Sequence, residues 1–140
     1  MRRELSFYAF GKPAPQPRPR VARNGHVFNP SSANEWKNDV REAWSESAGE
    51  EFHKGVRMSL HFILERPKGH WTKSGRLKRG SPADPVGKPD LDNLAKSTLD
   101  SLENAGAFKN DSAILHLNIS KRYAEEMEEQ GCLISIAEID

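Results

Sequence analysis

Residues 90–106 have the sequence Asp90-Leu-Asp-Asn-Leu-Ala-Lys-Ser-Thr-Leu-Asp-Ser-Leu-Glu-Asn-Ala-Gly106, and this stretch decides the fold prediction. Because its apolar residues recur every three or four positions, they share one face of an α-helix, which predicts packing against a core. These residues are Leu91, Leu94, Ala95, Thr98, Leu99, Leu102 and Ala105. Gly106 predicts the helix end, since glycine readily takes the left-handed conformation found there.

Alternation of apolar and polar residues outside this helix predicts four longer strands. The clearest are 56–65 before the helix and 114–123 after it, while 5–11 alternates more loosely. Residues 132–139 form the last strand. The acidic turn at 125–131 predicts that this strand and the one before it form an antiparallel hairpin.

The region from residue 12 to residue 49 predicts an extended segment, a short hairpin and a second helix. Residues 12–20 contain four prolines and cannot be helical. Asn24-Gly25 tolerates the positive φ angles of a type I′ turn, which predicts a hairpin over 21–28. Residues 29–32 supply helix-start residues, Gly49 is a plausible stop, and a helix to about residue 47 would have one apolar face. That face consists of Ala33, Trp36, Val40, Ala43 and Trp44.

The predicted element order is β, hairpin, α, β, loop, α, β, β. One mixed β-sheet with two main helices on one face buries all these apolar stripes, so we expect an α/β (α+β) fold. A chain of 140 residues is the length of one domain, here residues 1–140. The loop at 66–89 is longer than compact domains usually keep without a function.

Composition indicates a soluble protein of a reducing compartment. Hydrophobic residues make up 36% of the chain and charged residues 29%, and Cys132 is the single cysteine, so no intramolecular disulfide forms. The N-terminus lacks a secretory signal, and no apolar run approaches the roughly 20 residues that cross a bilayer. We therefore expect a cytoplasmic protein without membrane contact.

The formal net charge of +1 conceals two basic segments. A basic face would bind phosphates, although basic loops can also be merely solvated. The first segment, before Pro30, contains Arg2, Arg3, Lys12, Arg18, Arg20 and Arg23; the second contains Arg66, Lys68, Lys73, Arg76, Lys78, Arg79 and Lys88.

Three aspartates and a lysine around the 90–106 helix allow two interpretations. Asp90 lies at the expected N-cap, Asp92 in the first turn, Lys96 four residues later, and Asp111 beyond the helix end. The first interpretation is that these residues only stabilise the helix. A cap, an acid in the first turn and an Asp–Lys pair each contribute a few tenths to about 1 kcal/mol to helix stability. Asp111 would then be an ordinary turn residue.

The functional interpretation is a metal site. Mg²⁺ prefers carboxylate oxygens with phosphate and water, so converging aspartates suit phosphodiester hydrolysis. A nearby lysine would offset charge developing on the phosphate. The basic segments would supply sequence-independent binding to a nucleic acid backbone.

The residues Asp90-Leu-Asp-Asn-Leu-Ala-Lys96, Ser97-Thr-Leu-Asp100 and Asn104-Ala-Gly-Ala-Phe-Lys-Asn-Asp111 together resemble the signature of the RusA-type Holliday junction resolvases. The resemblance is strongest over 88–114 and extends weakly to Arg18-Pro-Arg20 and the hairpin that follows. Members of the family often have Asp-Asp where this chain has Asn110-Asp111. Asp111 keeps the family's spacing from the first acid.

This resemblance implies a homodimeric, Mg²⁺-dependent endodeoxyribonuclease, with Mn²⁺ as a substitute, that nicks four-way DNA junctions symmetrically in recombination and repair. Asp90, Asp92 and Asp111 match the family's essential acids and would hold the metal; Lys96 matches its essential lysine. Many members come from phages or prophages. The residues expected to bind the DNA backbone are Arg18, Arg20, Arg23, Lys73, Arg76, Lys78 and Arg79.

Two other functions remain open: a non-catalytic module that binds branched DNA, and a broader nuclease of flaps or forks. A purely structural domain with capping aspartates is a third possibility. The five histidines show neither metal-site spacing nor a neighbouring cysteine. Trp36 and Trp44 suit a core or dimer contact, Trp71 and Phe28 lie in or near the basic segments, and no motif predicts a small-molecule cofactor.

Overall fold

The computed structural model describes residues 2–28 and 30–139 and contains six strands and two α-helices within those ranges. In chain order these are β1 (Glu4–Phe10), β2 (Arg20–Val21), β3 (Val27–Phe28), α1 (Asn34–Glu46), β4 (Val56–Leu64), α2 (Leu91–Ala105), β5 (Ile114–Tyr123) and β6 (Gly131–Glu138).

Four strands form one mixed sheet in the order β1-β6-β4-β5, and β2 and β3 form a separate two-stranded sheet. β4 and β5 are parallel, from Val56 opposite Ile114 to Leu64 opposite Tyr123, with one irregularity after the first pair. Parallel neighbours need a crossover, and α2 supplies it. The predicted mixed sheet with two main helices is confirmed.

The predicted hairpin between the last two strands is wrong. β6 pairs antiparallel with β1 and β4 and is not a neighbour of β5. The reason lies in the side chains, because β6 buries Cys132, Ile134 and Ile136 completely or almost so, which suits a central strand. β5 leaves Leu115 59% and Leu117 42% exposed and therefore suits an edge.

Both helices pack into a single core with the sheet. α1 contributes Trp36, Val40 and Trp44, and α2 contributes Leu94 and Leu102. The Trp36 indole Nε1–H donates a 3.0 Å hydrogen bond to Thr98 Oγ1, which satisfies a polar group inside the core. The core interpretation of the two tryptophans is thus confirmed. Cys132 is a small buried residue, as expected, and burial raises the pKa of its thiol.

The helix ends differ in how well the sequence predicts them. α2 ends at Gly106, which has φ 91° as predicted. α1 starts at Asn34, later than residues 29–32, and its N-cap Ala33 makes no side-chain cap bond. Asn29, part of that predicted start, lies outside the described residues. At the other end Ala48, with φ 57°, takes the left-handed position before Gly49 is reached.

The hairpin over 20–28 is present, but its predicted turn type is wrong. Val21 pairs with Val27, so five residues connect the strands. Gly25 has φ 82°, whereas Asn24 does not have a positive φ, and a type I′ turn needs both. The Asn24 side chain instead accepts a hydrogen bond from the His26 N–H, which stabilises a wider loop.

Candidate active site and DNA-binding surface

Asp90 and Asp92 lie at the first turn of α2, and both are exposed. Asp90 occupies the N-cap position with extended backbone angles, and its carbonyl accepts the Leu94 N–H at 3.1 Å. Its carboxylate makes no cap hydrogen bond. Asp92 Oδ1 accepts the neighbouring Asn93 N–H at 3.0 Å. The predicted cap position is confirmed, but the carboxylate of Asp90 is not used for capping.

The start of α2 is held from two sides. From β5, Lys121 Nζ donates hydrogen bonds to the carbonyls of Gly87 at 2.7 Å and Pro89 at 2.9 Å. From the proline-rich segment 12–20, the Gln16 N–H donates to the Asn93 carbonyl at 2.9 Å. Ser97 Oγ donates to the Ala14 carbonyl at 2.6 Å. The two exposed carboxylates therefore stand on an anchored backbone.

Lys96 is exposed one turn after Asp92, and within the described ranges the two side chains form no ion pair. Asp111 lies at the other end of α2, where it starts a 3₁₀ turn before β5. Its N–H donates to Glu103 Oε1 at 2.8 Å, and its own side chain is exposed.

Within a single chain, Asp111 does not lie close to Asp90 and Asp92. Asp90 precedes α2 and Glu103 lies in its last turn, and a helix rise of 1.5 Å per residue separates them by roughly 20 Å. Carboxylates that share a Mg²⁺ ion lie within a few ångströms, because Mg–oxygen distances are about 2.1 Å. Consistently, residues 2–28 and 30–139 contain no group of three or more His, Cys, Asp or Glu side chains that could hold a metal ion.

A cleft of about 980 Å³ opens beside Asp90. Its walls come from the proline-rich segment, the end of β4 and the loop that follows, and the start of α2 with Asp90 and Asn93. Its volume is in the range of ligand-binding clefts. Four cationic side chains line it: Lys12, Arg66, Lys68 and Lys88. The predicted DNA-binding set omitted these four residues, although all of them lie in the two basic segments.

The α1 wall of the cleft carries the opposite charge. Glu35 lines the cleft, and Asp39 follows it by one helical turn. The pKa of Asp39 is raised, mainly by burial and further by the carboxylates of Glu35 and Glu42. The cleft is thus lined by four cations and by the carboxylates of Glu35, Glu65 and Asp90.

Within the second basic segment, residues 70–78 form an ordered hairpin rather than an irregular loop. Trp71 bridges to Leu77, and the Thr72 N–H donates to the Arg76 carbonyl at 2.8 Å. Gly75, with φ 84°, makes the turn between them. We call residues 70–79, this hairpin with the residue that follows it, the basic hairpin. Its exposed cations are Lys73, Arg76, Lys78 and Arg79.

Arg66 anchors the basic hairpin to the sheet. Its guanidinium donates to the carbonyls of Pro82 at 2.7 Å and Ala83 at 3.4 Å. It also lies 4.4 Å from the ring centroid of Tyr123, at the end of β5. The ring of His70 packs edge-on against the same tyrosine, with the two ring centroids 5.7 Å apart. The remaining predicted DNA-binding residues, Arg18, Arg20 and Arg23, are exposed on the proline-rich segment and the β2–β3 hairpin.

Comparison with known proteins shows the family of the chain. The family model for Endodeoxyribonuclease RusA matches residues 11–130, which includes the cleft, the basic hairpin and the whole run from Asp90 to Asp111. The chain belongs to the RusA endodeoxyribonuclease family. Nucleases of this family act on DNA, which makes DNA a partner of this chain. The resemblance drawn from residues 88–114 is confirmed.

One curated relative is similar over almost the whole chain. It is the uncharacterized protein YqaN of Bacillus subtilis (strain 168), 32% identical over 131 residues, which cover 87% of this chain and 89% of the relative. Neither helix in the described part of this RusA family member is long and apolar enough to cross a membrane.

Proposed function

We propose that the protein is a Mg²⁺-dependent endonuclease that nicks four-way DNA junctions symmetrically, as a homodimer, in recombination and repair. The observation that carries the proposal is the carboxylate of Asp90, exposed at the start of α2 and not used as a helix cap. Family membership and the basic residues around the adjoining cleft support it.

The residues at the start of α2 fit a divalent ion. Asp90 and Asp92 offer hard carboxylate oxygens, and Mg²⁺ in nucleases typically takes one or two carboxylates together with phosphate and water. Mn²⁺ accepts the same ligands. A bound ion supplies activation of water and neutralisation of charge at the scissile phosphate.

The other residues of the chain bind and orient the DNA. The cations of the cleft and of the basic hairpin hold the sugar–phosphate backbone without reading its sequence. Lys96, exposed one turn into α2, lies on the side of Asp92 and would stabilise the charge that develops on the phosphate during hydrolysis. The fixed backbone at the helix start limits the reorganisation that the reaction requires.

The third acid of the site comes, in this proposal, from the second protomer. β5 is the last strand of the sheet, so its outer edge pairs with no strand among the described residues. An open edge can pair with a second copy. Antiparallel pairing of two β5 edges about a two-fold axis places the start of one β5 beside the end of the other.

This arrangement brings the separated acids together. Asp111 starts the 3₁₀ turn that leads into β5, and Lys121, near the end of β5, is bonded to the backbone just before Asp90. In the dimer Asp111 therefore approaches Asp90 of the partner subunit. Leu117, which is 42% exposed in the single chain, would be buried where the two β5 strands meet. Two equivalent sites then face a two-fold junction, which accounts for symmetric nicking.

The test is incubation of the purified protein with a mobile four-way junction, with Mg²⁺ or with EDTA. Paired nicks in opposite strands with Mg²⁺, absent with EDTA, support the proposal. Flap, fork and linear duplex substrates run in parallel, and equal cleavage of these would indicate a broader nuclease. Junction binding without any nicking in Mg²⁺ or Mn²⁺ would contradict catalysis and favour a DNA-binding module.

A further inference from the structure

Lys121 occupies a position in β5 where the strand pattern favours an apolar side chain. Ile119 and Tyr123, two residues before and after it, pack against the core. In the parallel register Lys121 is the partner of Phe62, which is fully buried. A half-buried lysine in such a place needs hydrogen-bond acceptors for its ammonium group.

The acceptors are backbone carbonyls next to the candidate active site. Lys121 Nζ bonds Gly87 O at 2.7 Å and Pro89 O at 2.9 Å. Pro89 O belongs to the same peptide group as the Asp90 nitrogen, so this bond fixes the orientation of the peptide that carries Asp90. Gln16 and Ser97 hold α2 beyond its first residue, whereas Lys121 holds the residues before it.

The two hydrogen bonds leave the Asp90 carboxylate available. A lysine that paired with the carboxylate itself would compete with a divalent ion, but Lys121 is bonded to main-chain oxygens. It therefore restrains the side chain through the backbone, as the groups around metal ligands commonly do.

We propose that Lys121 is a positioning residue of the metal site, whose two hydrogen bonds hold the Gly87–Asp90 backbone so that Asp90 is oriented to bind a divalent cation. This inference rests on the proposed function. Were Lys121 a purely structural residue, its loss would lower stability and leave the affinity for metal unchanged.

The first measurement uses metal-free protein and hydrogen exchange. Lys121→Met removes the donors and keeps the aliphatic stem; Lys121→Arg retains a cationic donor. Lys37→Met, a half-buried lysine of α1 outside the site, is the matched control. We expect amides of residues 87–94 to exchange about five- to tenfold faster in Lys121→Met, the effect of losing about one hydrogen bond. Lys37→Met should leave this segment unchanged.

The second measurement is metal affinity. We expect Mn²⁺ alone to bind Lys121→Met about tenfold more weakly by calorimetry, and the Mg²⁺ concentration for half-maximal junction nicking to rise by a similar factor, since loss of groups supporting metal ligands commonly costs 10–100-fold. Junction binding in EDTA should stay within about twofold of the parent, because the basic residues are intact. Lys121→Arg should restore most of the metal affinity.

Equal Mn²⁺ affinity in Lys121→Met and Lys37→Met, or no recovery in Lys121→Arg, would overturn the inference. If Lys121→Met does not fold, Lys121→Gln replaces it, because its shorter amide cannot reach both carbonyls. A parent protein that fails to nick junctions in Mg²⁺ counts against the proposed function instead. The exchange and Mn²⁺ measurements then still decide the role of Lys121.

Discussion

At the residue scale, the side chain of Asp90 distinguishes two interpretations of the start of α2, a helix cap and a metal ligand. Its position was predictable, because it follows a proline and precedes the apolar series of α2. That its carboxylate makes no cap bond was not predictable, since this depends on the side-chain rotamer. Lys121 also escaped prediction. Its carbonyl acceptors lie 34 and 32 residues away in the chain, at Gly87 and Pro89.

Replacing Asp90 by asparagine tests the metal-ligand role, because asparagine caps a helix about as well as aspartate but lacks the carboxylate charge. Because no cap bond is lost and the residue is exposed, we expect the free energy of unfolding to change by less than about 0.5 kcal/mol. Nicking should fall by at least about 100-fold, the upper end of the loss seen when a group that merely supports a metal ligand is removed. Urea denaturation and junction cleavage measure the two effects.

The matched control for Asp90→Asn is Asp100→Asn. Asp100 is half-buried in the middle of α2 and lies outside the site. Asp100→Asn should nick as the parent does. Full nicking activity in Asp90→Asn would contradict the metal-site interpretation. Destabilisation of Asp90→Ala by about 1 kcal/mol would indicate a structural cap, because alanine, unlike asparagine, cannot cap the helix.

At the element scale, the sequence predicts the elements better than their pairing. α2 was predicted to its last residue because Gly106 ends the apolar series. The partner of β6 was missed because a strand's neighbours depend on burial across the whole sheet, whereas the acidic turn suggested the adjacent strand. The basic hairpin was missed for a similar reason, since Arg66 stabilises it through the distant Tyr123.

Arg66→Met should loosen the basic hairpin. The variant loses the bonds to Pro82 and Ala83 and the contact with Tyr123, and only the ring contact of His70 with Tyr123 remains of the links described above. We expect faster trypsin cleavage in this segment and weaker junction binding. The slope of log affinity against log salt concentration should decrease by about one for each phosphate that the variant no longer binds. Arg41→Met, an exposed arginine of α1, is the control, and equal salt slopes in the two variants would contradict the role of Arg66.

Glu128, in the turn between β5 and β6, should make the stability of the fold depend on pH. Hydrogen bonds from Arg122 and from the Glu125 backbone lower the pKa of Glu128 to about 2 from the ordinary 4.5. Since the folded pKa is depressed, this pair stabilises the fold above pH 4.5, and the contribution is lost as pH falls toward 2. Because the Glu128 carboxylate lies at the protein surface, the effect should be small and weakened by salt.

Glu128→Gln should therefore unfold at lower denaturant concentration than the parent at pH 7, with the difference disappearing near pH 2. Denaturation curves followed by tryptophan fluorescence across this range measure it. The neighbouring Glu126→Gln serves as the control. A difference between Glu128→Gln and the parent that is the same at pH 7 and pH 2 would contradict the pKa assignment.

At the scale of the whole molecule, the three acids could be recognised from sequence but not placed. Their spacing matched the family, yet α2 separates Asp111 from Asp90 by most of its length. The family assignment followed from motif residues alone. The proposed meeting of the acids depends on the relation between two copies, which no local pattern encodes.

Dimerisation through β5 is tested by a charge on its edge. Leu117→Arg should give a monomer, because two guanidinium groups would meet between the two β5 strands without partners. The monomer should stay folded and lose nicking. Met127→Arg, which replaces an apolar residue that is 96% exposed in the acidic turn, should remain dimeric and active. Light scattering after size exclusion measures the mass; a dimeric, active Leu117→Arg would exclude this interface.

The most direct test of the shared site mixes two inactive variants, Asp90→Asn and Asp111→Asn. If each site combines Asp90 of one protomer with Asp111 of the other, a mixed dimer contains one site with both acids replaced and one intact site. Mixing should then restore nicking of a single strand of the junction in Mg²⁺. Mixtures of Asp90→Asn with Asp92→Asn should stay inactive, because both residues belong to the same half of the site. No recovery from Asp90→Asn with Asp111→Asn, once exchange of subunits is verified, would contradict the account.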